Sequence, residues 1–379
     1  MVTIKKVVSF FIIWRFILFA GFLAGSSLQP PLINYLGGSY NDFTNPILWS
    51  WANFDGVHYL FIAQYGYGQF QQAFFPFYPM LISLVSRLLQ GNYLISALFI
   101  SHFSLIAALF ILYKLIKIDF SEKVANWTIL FMLFFPTSFY LGSVYTESLF
   151  LLFLVLGFYA SRRQMWWLAG LAGAFASLTK LVGIFLFPAI LWEYYMSIKF
   201  PADKKLAIKK FFNPNFFWLM LIPLGLCLYM FWLNQTYHDP FAFVHVQPAF
   251  GAARSGGQII LLPQVIFRYI KIFLTASFNY QYFIALLEFF TFFAFLGMLI
   301  FGAKKIRISY WIFAVMALIL PTLTGSFTSI PRYVTILFPN FLLLGLLNNN
   351  LTKSLILLLF FLVLLILFTA LFTRGYWIS

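Results

Sequence analysis

The sequence predicts an all-α, polytopic integral membrane protein, and three observations carry that assignment. Of the 379 residues, 63% are hydrophobic and only 9% are charged, whereas a soluble domain carries about 25% charged residues. Apolar runs near or beyond the roughly 18 residues that mark a membrane span recur along nearly the whole chain, among them 7–25, 216–233 and 355–372. The basic residues, which give a net charge of +15, collect in short clusters between these runs. That is the pattern of loops held on the cytoplasmic side, not of one basic patch for nucleic acid.

Lys5 and Lys6 precede the first apolar run and put the N-terminus inside. Arg15 within that run, and the apolar chain that follows, mark an uncleaved first helix instead of a secretory signal. The stretch 29–75 contains Asp42 and Asp55 but no Lys or Arg, as an external loop should. Two apolar segments, 74–90 and 92–113, then precede KLIKIDFSEK (114–123), which reads as internal. If both crossed, that basic segment would end outside, so one of them is expected to be re-entrant or interfacial. FFPFYP (74–79) selects the first, because proline breaks helices and irregular backbone at membrane depth must line a protein cavity. Arg162–Arg163, the run 199–210, Lys304–Lys305–Arg307 and Lys353 mark further inside loops. Segments near 142–147, 179–183, 235–262, 325–332 and the C-terminus then fall outside. The expectation is one transmembrane domain over 1–379 with about 11 transmembrane helices plus interfacial or re-entrant helices. External loops near 29–75 and 235–280 would shape any site. The single cysteine, Cys227, sits in an apolar run and suggests neither a disulfide nor a thiolate metal site.

This topology sends nearly every polar side chain that is costly near a bilayer to the external side. Asp55 and His58 lie in FDGVHY with Tyr59, and Glu147 lies in VYTESLF. Lys180 stands between two apolar helices, and His238, Asp239, His245, Gln247 and Arg254 share the segment 237–254. Arg332 and Tyr333 close SIPRY. Ionisable groups in or beside membrane helices usually face a cavity and work there. Plainer roles stand beside that one. Asp55 could be a surface-loop carboxylate, and Glu147 could only complement a helix dipole. Lys180, Arg254 and Arg332 could snorkel to the interface, and His238 and His245 could be ordinary loop histidines.

An acid facing an external cavity, with cations arriving from distant helices, suits group transfer from an anionic lipid donor. The cations would hold a lipid phosphate, for which the arginine fork is well shaped. The acid would take the proton of an attacking hydroxyl. No HExxH or close His/Asp cluster indicates a metal site, and no Walker loop or dinucleotide glycine fingerprint indicates nucleotide use. No cofactor is therefore expected.

Four blocks make the chain resemble a known family. They are WANFDGVHYLFIAQYGYG with AFFPFYP, FFPTSFYLGSVYTESLF, HDPFAFVHVQ and SIPRYVTILFPNF, which occur in that order over 49–341. The chain resembles the PIG-V mannosyltransferases, integral-membrane glycosyltransferases of the GT-C fold and a group with bacterial members. The resemblance implies a sugar donor on a polyprenyl or dolichyl phosphate, inverting transfer, and a lipid-linked or polymer acceptor. It implies that Asp55 is the catalytic base. It also matches His58, Glu147, Asp239, Gln247, Arg332 and Tyr333 to the family's blocks. Phe54 departs from the usual tryptophan, and Lys180 stands where arginine is expected, keeping the charge but losing the fork.

The expected protein is thus a multi-pass glycosyltransferase of a bacterial cell membrane, with its N-terminus cytoplasmic and its site external. Lys180, Arg254 and Arg332 would hold the departing phosphate. Two rivals are a flippase for a lipid-linked saccharide, which should show inverted repeats and a polar path across the bilayer, and a catalytically silent relative acting as a partner subunit.

Overall fold

The computed structural model describes residues 2–28, 32, 45–198, 203–347 and 350–379, which form helices and connecting turns without strands. Asp42 and most of the first external loop lie outside the described residues. Among the described residues, five helical segments are long and apolar enough to cross a bilayer: Ile4–Leu28, Tyr93–Ile116, Pro214–Tyr237, Tyr280–Lys305 and Leu351–Thr373. Their outward faces carry large apolar side chains such as Phe16, Phe231, Phe301 and Ile356, as lipid contact requires.

Four of the helices begin at a side-chain cap. Asn92 accepts from the Ile95 amide, Ser121 from Val124, Asn279 from Tyr282 and Asn350 from Lys353, each supplying an acceptor to an amide that the first turn leaves free. The main helices are α1 (Val2–Leu28), α2 (Asp55–Tyr65), α3 (Phe77–Ser86), α4 (Tyr93–Ile116) and α5 (Glu122–Phe134). Then follow α6 (Glu147–Arg162), α7 (Trp166–Thr179), α8 (Leu186–Ser197), α9 (Leu221–Tyr237) and α10 (Leu262–Thr275). The last four are α11 (Tyr280–Gly302), α12 (Ile308–Ile319), α13 (Phe338–Leu346) and α14 (Leu351–Thr373).

Ion pairs identify one end of the bundle. Lys6 pairs with Glu122, and Arg162 with Asp119. Glu193 accepts from Arg307 Nε at 2.8 Å and Nη2 at 2.9 Å, and from the Ser309 hydroxyl. These contacts bring together the N-terminal lysines, the segment 114–123, Arg162 and the 304–307 cluster, which the charge pattern assigned to one side. At the other end the chain returns to Asp55, to Glu147 and to the C-terminus, where the Arg332 amide donates to Ser379 Oγ at 3.0 Å. Shorter apolar helices, among them α3, α7, α8 and α12, lie between the five long segments in the chain.

Several helices are short and are extended by irregular backbone. After α5 the chain leaves the helix at Phe135 and stays buried through Glu147. Its hydroxyls find internal acceptors: Thr137 Oγ1 donates to Pro331 O, and Ser143 Oγ to Phe139 O at 2.8 Å. Irregular backbone at this depth thus lies inside protein, where its polar groups are satisfied. In segment 74–90, α3 has 10 residues and is about 15 Å long, half the roughly 30 Å of a hydrocarbon core. It packs on α4, where the Tyr78 hydroxyl meets Ala97 O at 3.2 Å and Ser101 Oγ at 2.9 Å.

Candidate active site

The block containing Asp55 is anchored by contacts from two distant segments. The Val144 amide donates to Trp51 O at 2.9 Å, and the Tyr145 hydroxyl to Asn53 O at 2.8 Å. Asn53 Nδ2 donates to Phe372 O at 2.8 Å. Phe54 adopts φ +60°, a rarely occupied region for a side-chain-bearing residue. Its ring packs edge-on against Trp377 at 5.0 Å. Gly56 sits at a close approach, since a Cβ there would lie 3.2 Å from Val144 O, tighter than ordinary contact. These contacts hold Asp55 at the first turn of α2, with its carboxylate only partly exposed.

Arg332 reaches the same point from the short helix Ile330–Tyr333. Its Nη1 donates to Asp55 Oδ2, its Nη2 lies 3.2 Å from the Tyr333 hydroxyl, and its Nε lies 3.6 Å from Glu147 Oε1. The rings of Tyr333 and Tyr145 flank the guanidinium at 4.9 and 5.4 Å. Glu147 opens α6, and its Oε1 accepts from Lys180 Nζ at 2.6 Å. Lys180 Nζ in turn sits 5.1 Å from the centre of the Tyr333 ring. The four groups form an alternating row: carboxylate, guanidinium, carboxylate, ammonium. Glu147 is almost wholly buried, and its Oε2 has no hydrogen-bond partner.

This geometry corrects one expectation. No cation lies near Asp55 in sequence, and the cations were expected to await a phosphate. In space Arg332 is bound to Asp55 and Lys180 to Glu147. Burial pushes the Asp55 carboxyl up, but Arg332, with smaller contributions from His58 and Arg254, outweighs it and leaves the group below its ordinary value. For His58, burial lowers the imidazole against the opposing pull of Asp55.

The row forms part of the wall of a cavity of about 1570 Å³, to which Tyr59, Tyr333, Gln247 and Arg254 also contribute. The segments 146–147, 179–182, 243–259, 323–333 and 375–377 converge on it, matching the regions that the charge pattern placed outside. Arg254 Nη1 lies 3.5 Å from Gln247 Oε1.

Other candidates stand apart from this lining. His58 stacks on Phe74 at 4.8 Å and meets Gln71 Nε2 through Nδ1 at 3.2 Å, behind the wall. His238 is exposed in the left-handed residue that ends α9. Asp239 accepts from the Phe241 amide at 3.0 Å and pairs with the exposed His245 at 2.7 Å. These three shape the turn after α9. Their polarity and loop position could not show which side of that loop they occupy.

Two lining residues were missed in the sequence. Glu288, in α11, accepts from the Tyr269 hydroxyl of α10 at 2.5 Å and from the Ser329 amide at 3.3 Å. A lone carboxylate within the apolar run 280–302 is a legible signal of a cavity-facing residue. Among the described residues, no group of three or more His, Cys, Asp or Glu is arranged to hold a metal ion.

Fold and site together define a polytopic helical membrane protein with a large cavity at one end, walled by paired carboxylates and cations. The chain belongs to the Mannosyltransferase (PIG-V) family, whose model matches residues 2–249. It is similar to GPI mannosyltransferase 2 of Schizosaccharomyces pombe, 31% identical over 141 residues, which is 36% of this chain and 30% of that protein. The matched part is thus less than a third of that relative. Among solved structures it is similar to the Archaeoglobus fulgidus oligosaccharyltransferase tethered to an acceptor peptide, at 13% identity and a TM-score of 0.46. That likeness covers 98% of this chain and 55% of the other. The family match includes Asp55, Glu147 and Lys180, whereas Arg254, Tyr269, Glu288, Arg332 and Tyr333 lie beyond it.

Proposed function

We propose that the protein is an inverting glycosyltransferase of the GT-C type that moves a sugar, mannose by family, from a polyprenyl- or dolichyl-phosphate donor to a hydroxyl acceptor. The observation that carries this is the contact of Asp55 with Arg332 at the wall of a cavity that Lys180 and Arg254 also line. Family membership supports the sugar and the reaction class.

In the proposed reaction Asp55 takes the proton of the acceptor hydroxyl. That oxygen bonds to the anomeric carbon from the face opposite the phosphate, and the bond from carbon to phosphate oxygen breaks. The departing lipid phosphate is held by Arg332, Lys180 and Arg254. The pairing of Asp55 with Arg332 gives the donor a second role. A phosphate that takes over the Arg332 fork removes the cation that depresses Asp55, while burial remains, so donor binding raises the basicity of the acid it needs. The lipid-borne sugar is a substrate, and the proposed steps draw on no resident cofactor.

The end carrying Asp55 lies opposite the lysine-rich end and is assigned to the external face of a cell membrane by the charge bias. Gathering of the cavity-lining carboxylates and cations at one end favours bond chemistry over a flippase path. Proteoliposomes made with total lipid from the source membrane and labelled polyprenyl-phosphate mannose test the choice. The proposed enzyme forms a new labelled glycoside, whereas movement of label between leaflets without a new product would overturn it.

A further inference from the structure

We infer that Glu288 is a positioning residue that holds Arg332 in the site through the backbone of Ser329; this rests on the assignment of Arg332 to the donor phosphate. One carboxyl group tethers both ends of a turn. Glu288 Oε1 accepts from the Ser329 amide at 3.3 Å, and Oε2 accepts from the Tyr269 hydroxyl at 2.5 Å. That hydroxyl itself accepts from the Phe327 amide at 3.1 Å. The turn 327–329 is thereby fixed to α10 and α11 at once.

The turn needs such a restraint because Ser329 lies at φ +70°, ψ +5°, a left-handed conformation that a side-chain-bearing residue adopts at a cost. Its own hydroxyl is buried without a partner, so the side chain contributes nothing that would stabilise the conformation. Ser329 sets the start of the helix that carries Arg332: its carbonyl accepts from the Arg332 amide at 3.1 Å and from the Tyr333 amide at 2.9 Å. Relaxing Ser329 to an ordinary φ would swing the Arg332 guanidinium away from Asp55 and Glu147. A group acting this way needs to be an acceptor for the Ser329 amide, and its charge is secondary.

The test is equilibrium binding of labelled polyprenyl phosphate to the reconstituted full-length protein, a readout that needs no acceptor. Glu288→Leu should weaken binding about tenfold or more, the scale expected when a binding group is displaced by an ångström. Adding Ser329→Gly should restore most of that loss, because glycine adopts φ +70° without the steric cost. Glu288→Gln, which keeps an acceptor for the Ser329 amide, should bind close to wild type, and it serves as the test if the leucine variant does not fold. Three results would overturn the inference: wild-type binding by Glu288→Leu, no recovery in the double variant, or a loss in Glu288→Gln as large as in Glu288→Leu. Asp55→Asn in the same preparation keeps the two claims apart. It should bind the probe and transfer nothing, and transfer by that variant would sink the proposed function, leaving the Glu288 results to be judged on binding.

Discussion

Arg332 donates to the Asp55 carboxylate across 277 positions of sequence, and its Nε faces Glu147 from the same guanidinium. Two carboxylates thus bracket one almost buried arginine. In a low-dielectric setting such a group is costly unless its charge is balanced and its fork is occupied. The row from Asp55 to Lys180 balances the charge and occupies Nη1 and Nη2, while Nε, 3.6 Å from Glu147 Oε1, has no hydrogen-bond partner. It leaves a phosphate to compete for a fork that already has the right shape.

Removal of Arg332 should change how stability depends on pH. In the wild type the Asp55 carboxyl is held below its ordinary value. Its contribution is therefore fully present above the unfolded carboxylate range and is lost only as pH falls through the lowered native value. In Arg332→Gln burial remains without the cation, so the native value rises above the unfolded one and the sign reverses. The gap in thermal midpoint between variant and wild type should be largest near neutral pH and narrow towards about pH 4, where carboxyls protonate. A gap independent of pH would show that Asp55 does not depend on this arginine.

Glu147 and Lys180 should behave as one unit. Glu147→Gln and Lys180→Met each break a pair whose carboxylate is buried, while the double variant leaves neither charge stranded. The cycle should show a coupling of about 1–3 kcal/mol, with the double variant less destabilised than the two singles predict. Simple additivity would mean that the 2.6 Å contact carries no net interaction.

The histidines after α9 should be dispensable for transfer. His238 and His245 are exposed and outside the cavity lining. His238→Ala and His245→Ala should change donor binding by no more than about 0.5 kcal/mol, the ordinary range for surface substitutions. A tenfold loss in either would place a substrate contact on that turn.

What could be read from the chain follows from how local each signal is. Charge bias acts loop by loop, so the segments that gather at each end of the bundle were accessible. Asp55 and Glu147 were recognisable because each interrupts an apolar context and falls on the arginine-poor side. The pairing of Asp55 with Arg332 was not, since no local pattern records a contact 277 positions away. Glu288 was legible as a lone carboxylate in a membrane helix, but its task depends on the left-handed Ser329, which no residue type near it signals. His238 and His245 show the opposite case. Polarity in a loop says nothing about whether a side chain turns towards the cavity or towards solvent.

Transfer by Asp55→Asn tests the central claim most directly. The variant keeps the size of the side chain and a hydrogen-bond acceptor but cannot take a proton. Supplied with labelled polyprenyl-phosphate mannose in the same proteoliposomes, it should retain donor binding and lose transfer by about 10²–10⁴-fold, the span of general-base catalysis. Formation of the labelled glycoside at the wild-type rate would contradict the assignment of Asp55 as the base.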